Sequence, residues 1–222
     1  MRWAMMIAML ALAACDVGGV NDVLTPVSQQ RAVGNFDIAV SRVMPIAEDK
    51  CRASAASHRC DFQIVVDDRP GRAPNAFQSL DDHGRPVLTF TAALVADARN
   101  PDEIALIIAH EAAHHIDGHL GQLNRKVAFA LGQDDRVPPA LGLAHDLDQS
   151  ETAWSDIQAS VHAFELEADA LGAQIVMSAG FDPVKGAQIF LRLPEPHAHA
   201  AGAHPANADR FRAVRRAKAA AS

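Results

Sequence analysis

Apolar residues recur at helical spacing between Ser28 and Met44, at Val33, Phe36, Val40, Val43 and Met44. This predicts a helix that Pro45 should kink or end. The β-branched run Asp61-Phe-Gln-Ile-Val-Val-Asp67 predicts a short strand. Pro70, Gly71 and Pro74 interrupt the pattern as a loop. After an Asp82-His-Gly84 turn, Arg85-Pro-Val-Leu-Thr-Phe-Thr91 predicts a second strand. Asn100-Pro101 opens a helix, because Asn caps and Pro suits the first helical position. That helix should run to about Ile116, before Gly118. Gly132, Pro138, Pro139 and Gly142 break residues 121–150 into a surface excursion with a short helix. The helical period returns from about Ser150 to Ala179 and stops at Gly180, with Pro183 beyond. A shorter helix around Val184–Leu191, a loop from Pro194 to Pro205 and a basic helix from Asp209 to Ala220 complete the chain. No internal repeat is visible. Helices dominate over a small sheet, so the class is α+β.

The N-terminus follows neither period. Arg2 precedes a short apolar run, and small residues follow, the layout of a secretory signal. The run is shorter than the ~20 residues needed to span a bilayer. Its end, Leu12-Ala13-Ala14-Cys15, resembles a bacterial lipobox, in which Cys15 would carry the lipid. A plain cleaved signal ending in Ala-x-Ala is the alternative. Residues 1–14 are thus expected to be a signal peptide, 15–27 a tether and 28–222 the folded domain. No later segment reaches 18 apolar residues, so the remainder is expected to be soluble apart from its lipid. Asp16 after the Cys slightly favours the inner membrane over the outer.

The composition narrows the classes further. With 49% hydrophobic residues, wholesale disorder is excluded. The chain carries 20 Lys+Arg against 27 Asp+Glu, a formal charge of -7, and no basic block, so nucleic acid is not an expected partner. An exported chain meets an oxidising compartment, where Cys51 and Cys60 are expected to pair. A Cys-based metal site is disfavoured, because no further ligands stand at the right spacing.

The candidate chemistry lies in His110-Glu111-Ala112-Ala113-His114, inside the helix opened by Pro101. Two His four apart on a helix stand on one face, so their ring nitrogens can share one Zn²⁺. Glu111 beside them can take a proton from the water that the metal activates. The preceding residues Ile104, Leu106, Ile107 and Ile108 are apolar, which implies burial and makes three unpartnered polar groups costly. A catalytic Zn²⁺ also needs a third protein ligand. Glu165 and Asp169 share one face of the later long helix, whereas Glu167 points elsewhere. That helix turns Ile157, Val161, Phe164, Ala168, Leu171 and Ile175 towards the core, so a carboxylate on its inner face would meet the His pair. Asp169 is placed to accept from the second nitrogen of a ligand His. His115, turned away from the His pair, and also His119 and His145, are expected to be structural or surface residues; His119, beyond Gly118, is expected to pack near the site without being a ligand. His197 and His199 belong to a solvent-exposed tract, and Asp67, Asp68, Asp81 and Asp82 to turns.

Together these motifs resemble peptidase family M48, the family of HtpX and the CAAX prenyl proteases, and within it the periplasmic lipoprotein branch of BepA and LoiP. The resemblance runs from about Ser28 to Arg212. It is carried by Pro74-Asn75-Ala76-Phe77, Val87–Thr91, Asp102-Glu103, His119 nine residues after His110, Glu165-Leu-Glu-Ala-Asp169-Ala-Leu-Gly172, Ala179-Gly-Phe-Asp-Pro183, His204-Pro205 and Arg210. It implies a mostly helical zincin core of the gluzincin kind, with an edge strand at 86–91 flanking the active-site helix. It implies one Zn²⁺ held by His110, His114 and Glu165, with Asp169 behind them and Glu111 as general base. The chain has no Tyr to donate to an oxyanion. The resemblance points to His204 and Arg210 for that task, or to His204 as a fourth ligand that keeps the enzyme latent. The membrane helices and helical-repeat extension of some members have no counterpart in this sequence. The expected activity is that of a zinc metalloendopeptidase of the bacterial envelope, acting on unfolded or misassembled proteins. A catalytically quiet zinc-bound chaperone or assembly lipoprotein is the alternative, and a zinc aminopeptidase or amidase shares the same metal chemistry.

Overall fold

Pro45 does not end the first helix. In the computed structural model, which describes residues 28–54, 59–130, 151–193 and 204–221, helix α1 spans Gln29–Ala53 with Pro45 inside it. Ser28 caps it, its side chain accepting from the Arg31 N–H. The buried stripe Ala32, Phe36, Ala39, Val43, Met44, Ala47, Cys51 continues past the proline. Pro45 removes one ladder hydrogen bond, and the burial of Ala47 and Cys51 beyond it offsets that loss. Cys51 and Cys60 are joined in a disulfide, which ties the end of α1 to the chain entering the sheet. The signal and tether with Cys15, residues 131–150 with His145, and the tract holding His197 and His199 lie outside the described residues.

The sheet has three strands, β1 (Gln63–Asp67), β2 (Ala76–Leu80) and β3 (Pro86–Thr91), in the order β1-β3-β2. β1 runs parallel to β3 and β2 antiparallel to it. Strand 86–91 is therefore the centre of the sheet, which corrects its expected place at the edge. Leu88 and Phe90 are fully buried there. Ala76–Leu80, for which the sequence predicts no strand, is the edge strand on the side of helix α3 (Pro101–Ile116). A hairpin turn joins it to β3. The Asp81 side chain accepts from the N–H groups of His83 and Arg85, and Gly84 takes a φ of 74°. Thr91 ends β3 and caps a short helix, α2 (Ala92–Asp97), by accepting from the Leu94 N–H.

Helix α3 is the spine, packed between α1 and the long helix Glu151–Ser178. Asn100 caps it as expected, accepting from the Glu103 N–H. Its buried acidic start is fully engaged. Glu103 accepts two hydrogen bonds from Arg192, at 2.8 and 2.7 Å, and one from the Arg99 N–H. Asp102 accepts from the Asp182 N–H and pairs with Lys185. Helix α4 (His119–Ala130) follows directly, so the first part of the expected excursion is regular helix. Then come α5 (Glu151–Ser178), the single turn α6 (Pro183–Gly186) and a 3₁₀ segment (Ala187–Leu191) in place of one short helix. Helix α7 (Asn207–Ala220) packs on α5. Among the described residues no helix is long and apolar enough to cross a membrane.

Gly172 sets the approach of α5 to α3. A Cβ there would lie 3.1 Å from the His110 main-chain nitrogen. Backbone cannot swing aside as a flexible side chain can. A Gly172→Val substitution is expected to destabilise the chain by ~1–3 kcal/mol through overpacking. The midpoint of urea unfolding reads this, and an unchanged midpoint would contradict the close approach.

Candidate metal centre

His110 and His114 stand one turn apart on α3 and face α5. Their Nε2 atoms are 3.1 Å apart. Glu165 of α5 meets both, with Oε2 3.4 Å from His110 Nε2 and Oε1 3.3 Å from His114 Nε2. These donor atoms all lie within 4.8 Å of one another, a group able to hold a metal ion. A tetrahedral zinc site with bonds of 2.0–2.1 Å separates its ligand atoms by ~3.3 Å. The three separations match that edge length, and two imidazoles with one carboxylate are the donor set of a catalytic zinc.

Charge points the same way. Glu111, Glu165 and Asp169 are buried around the group, and Arg210 is the buried guanidinium beside them. In formal charges, three carboxylates against one cation leave a deficit of two, which one divalent ion fills. Without an ion, protons answer the same demand. Burial and Arg210 both push the His110 imidazole down, yet Asp169 and Glu165 raise it to about 10. Burial would raise Glu165, but His110, His114 and His204 hold it far below the usual carboxylate range. Proton and metal thus compete for one site.

Asp169 is fully buried, with Oδ1 2.9 Å from His110 Nδ1. Arg210 donates to both of its oxygens, at 2.9 and 2.8 Å, and lies over the Phe190 ring. Burial opposes the charge on Asp169, but Arg210 and His110 keep its pKa below the ordinary value. Arg210, a candidate for the oxyanion, therefore has its Nε and one NH2 group committed to Asp169. Its NH2 stands 4.0 Å from Glu165 Oε2. His204 is half exposed, and its Nδ1 is 2.5 Å from Glu165 Oε2. It sits on the carboxylate beside the three-donor group and borders two cavities.

Glu111 and His110 line two cavities, of about 320 Å³ and 220 Å³. Ala76, Phe77 and Gln78 of β2 form one wall of the larger. The Thr91 N–H donates to the Asn75 carbonyl, which makes that residue pair hydrogen-bonded. Alternation along the antiparallel pair then turns the main-chain groups of Ala76 and Gln78 to the free edge. Leu94, Leu106, Ile107, Phe190 and Leu193 give the smaller cavity an apolar wall.

From sequence, His119 is expected to be a structural residue near the site, not a ligand, and Glu167 to point elsewhere. The structure brings the two together at the site. His119 is buried, its Nδ1 3.0 Å from His114 Nδ1 and its Nε2 3.2 Å from Glu167 Oε2. Burial and the neighbouring His114 lower its pKa to about 4, so it is neutral. Gly118, with a φ of 67°, reverses the chain and returns His119 to the helix it has just left. A glycine at the end of the motif helix was the available signal. His115 is turned away as expected, bonded through Nε2 to the Arg59 carbonyl at 2.6 Å. Asp67 and Asp81 hold turns, paired with Arg69 and Arg85.

The model of the family described as Peptidase family M48 matches residues 41–218, well over half of the chain, and the chain belongs to that family. No curated protein was found that matches it. With a metallopeptidase family and a three-donor group both present, Glu165→Ala is expected to abolish stoichiometric zinc uptake, measured by equilibrium dialysis and elemental analysis. Full zinc content in that variant would exclude the carboxylate as a ligand.

Proposed function

We propose that this member of peptidase family M48 is a zinc-dependent metalloendopeptidase of the bacterial envelope that cleaves unfolded or misassembled proteins. The observation that carries this reading is Glu111, buried beside His110 and lining the same cavity as β2. Zinc, held by His110, His114 and Glu165, would supply the Lewis acidity that polarises a carbonyl and makes water nucleophilic near neutral pH. Glu111 accepts the proton of the attacking water and returns it to the departing amine. The imidazole of His204, half exposed at the cleft, is the available donor for the developing oxyanion.

The free edge at Ala76 and Gln78 favours an extended substrate that adds as a strand, and a compact domain cannot present one. Glu111 lines two cavities, which offer room for more chain than a single terminal residue, as cleavage within a chain requires. Two arguments support the envelope: the signal-like first residues ending at Cys15, and the Cys51–Cys60 disulfide, which suits an oxidising compartment. On this reading Cys15 carries the lipid and Asp16 favours the inner membrane.

Glu111→Gln is expected to retain zinc and lower turnover of an internally quenched, unstructured peptide by ~10²–10⁴-fold. Turnover independent of Glu111 would overturn the mechanism, no turnover by the wild type would favour a quiet chaperone, and a need for a free terminus would favour an exopeptidase. In bacterial cells, Cys15→Ala is expected to move the protein from the membrane to the soluble periplasmic fraction. Unchanged membrane association would remove the lipid tether.

A further inference from the structure

The peptide-hydrolysis scheme makes no use of His119 or Glu167, yet both are held to the metal group by specific geometry. His114 directs Nε2 at Glu165 and His110, so a metal bound there takes that nitrogen. An imidazole that gives Nε2 to a metal carries its N–H on Nδ1, which makes Nδ1 a donor. The acceptor 3.0 Å away is His119 Nδ1. His119, accepting on that nitrogen, carries its own proton on Nε2 and donates it to Glu167 Oε2 at 3.2 Å. The Asp117 carboxylate lies further off, at 3.9 Å. Phe164 stacks flat on the His119 ring, with centroids 4.5 Å apart and planes 13° from parallel, which fixes the plane of the ring.

We infer that His119 and Glu167 form a relay that sets the tautomer and ring plane of His114, and through it the affinity of the centre for its divalent ion. Each ligand imidazole then has its own support. His110 has a buried carboxylate clamped by Arg210. His114 has a neutral imidazole that ends on a carboxylate 60% exposed to solvent. His119 and Glu167 are positioning residues and act only through His114. The inference rests on the metal-centre reading and is independent of peptide hydrolysis.

The test titrates metal-stripped full-length protein with zinc against a chelating dye, and records the visible spectrum of the cobalt-substituted form. His119→Phe keeps the volume and the stack on Phe164 but offers no acceptor. It is expected to weaken zinc binding 10–100-fold and to shift the cobalt bands. His119→Gln, whose amide oxygen can accept from His114, should recover most of the affinity. Glu167→Ala, at an exposed position that leaves the fold intact, should lose several-fold. The double variant should bind no more weakly than His119→Phe alone, because Glu167 has no other route to the metal. Wild-type affinity in His119→Phe would overturn the inference, as would Gln no better than Phe, additive losses, or no loss in Glu167→Ala. Wild-type protein that takes up no zinc would overturn the metal centre and this inference together.

Discussion

The interface between α3 and α5 is organised around buried charge. Glu165 and Asp169 project from one helix, and His110 and His114 from the other. Isolated carboxylates are expensive to bury, and here each one is held by imidazole or guanidinium. The net contribution of the Asp169–Arg210 pair to stability is small, because desolvation opposes attraction. Leaving either partner alone in the interior would cost about 3–5 kcal/mol. The arrangement is thus more a constraint on geometry than a source of stability, and it leaves a deficit of positive charge where a divalent ion fits.

The rest of the fold serves to hold α3 still. Its buried first turn is secured by Arg192 and Lys185, and its middle by the close passage of Gly172. Its end reverses at Gly118, so that α4 supplies a buried imidazole to the site. The hairpin of β2 and β3 adds a free strand edge beside Glu111. A rigid group of donors and an adaptable main-chain shelf are the two parts a peptide hydrolase needs, one for the reacting bond and one for the extended chain around it.

Long, strongly periodic helices were legible in the sequence. Helix α1 and the Asn-Pro start of α3 follow directly from side-chain spacing and capping chemistry, although Val33 lies half exposed while Ala32 and Ala39 are buried. Pro45 does not end α1, because burial on both sides of it outweighs the missing N–H. The sheet was harder. Ala76–Leu80 is five residues of half-exposed edge with no clean alternation, and whether strand 86–91 lies at the centre or the edge is a property of its partners. At the site, spacing alone paired His110 with His114, and Glu165 with Asp169. Which carboxylate would face the histidines came from family resemblance. His119 is expected near the site, but its contact with Glu167 escaped because it crosses a chain reversal, and helical phase within one element carries no information about its neighbour.

Arg210 reaches Asp169 from α7, and Arg192 reaches Glu103 from the segment after α6. Both braces of the spine helix are thus made late in synthesis, well after His110 and His114 have been added. During synthesis His110, His114 and Glu165 are all added before either clamp. A hydrolase built in this order stays incomplete while its own chain is still unfolded and most open to attack by a neighbouring copy.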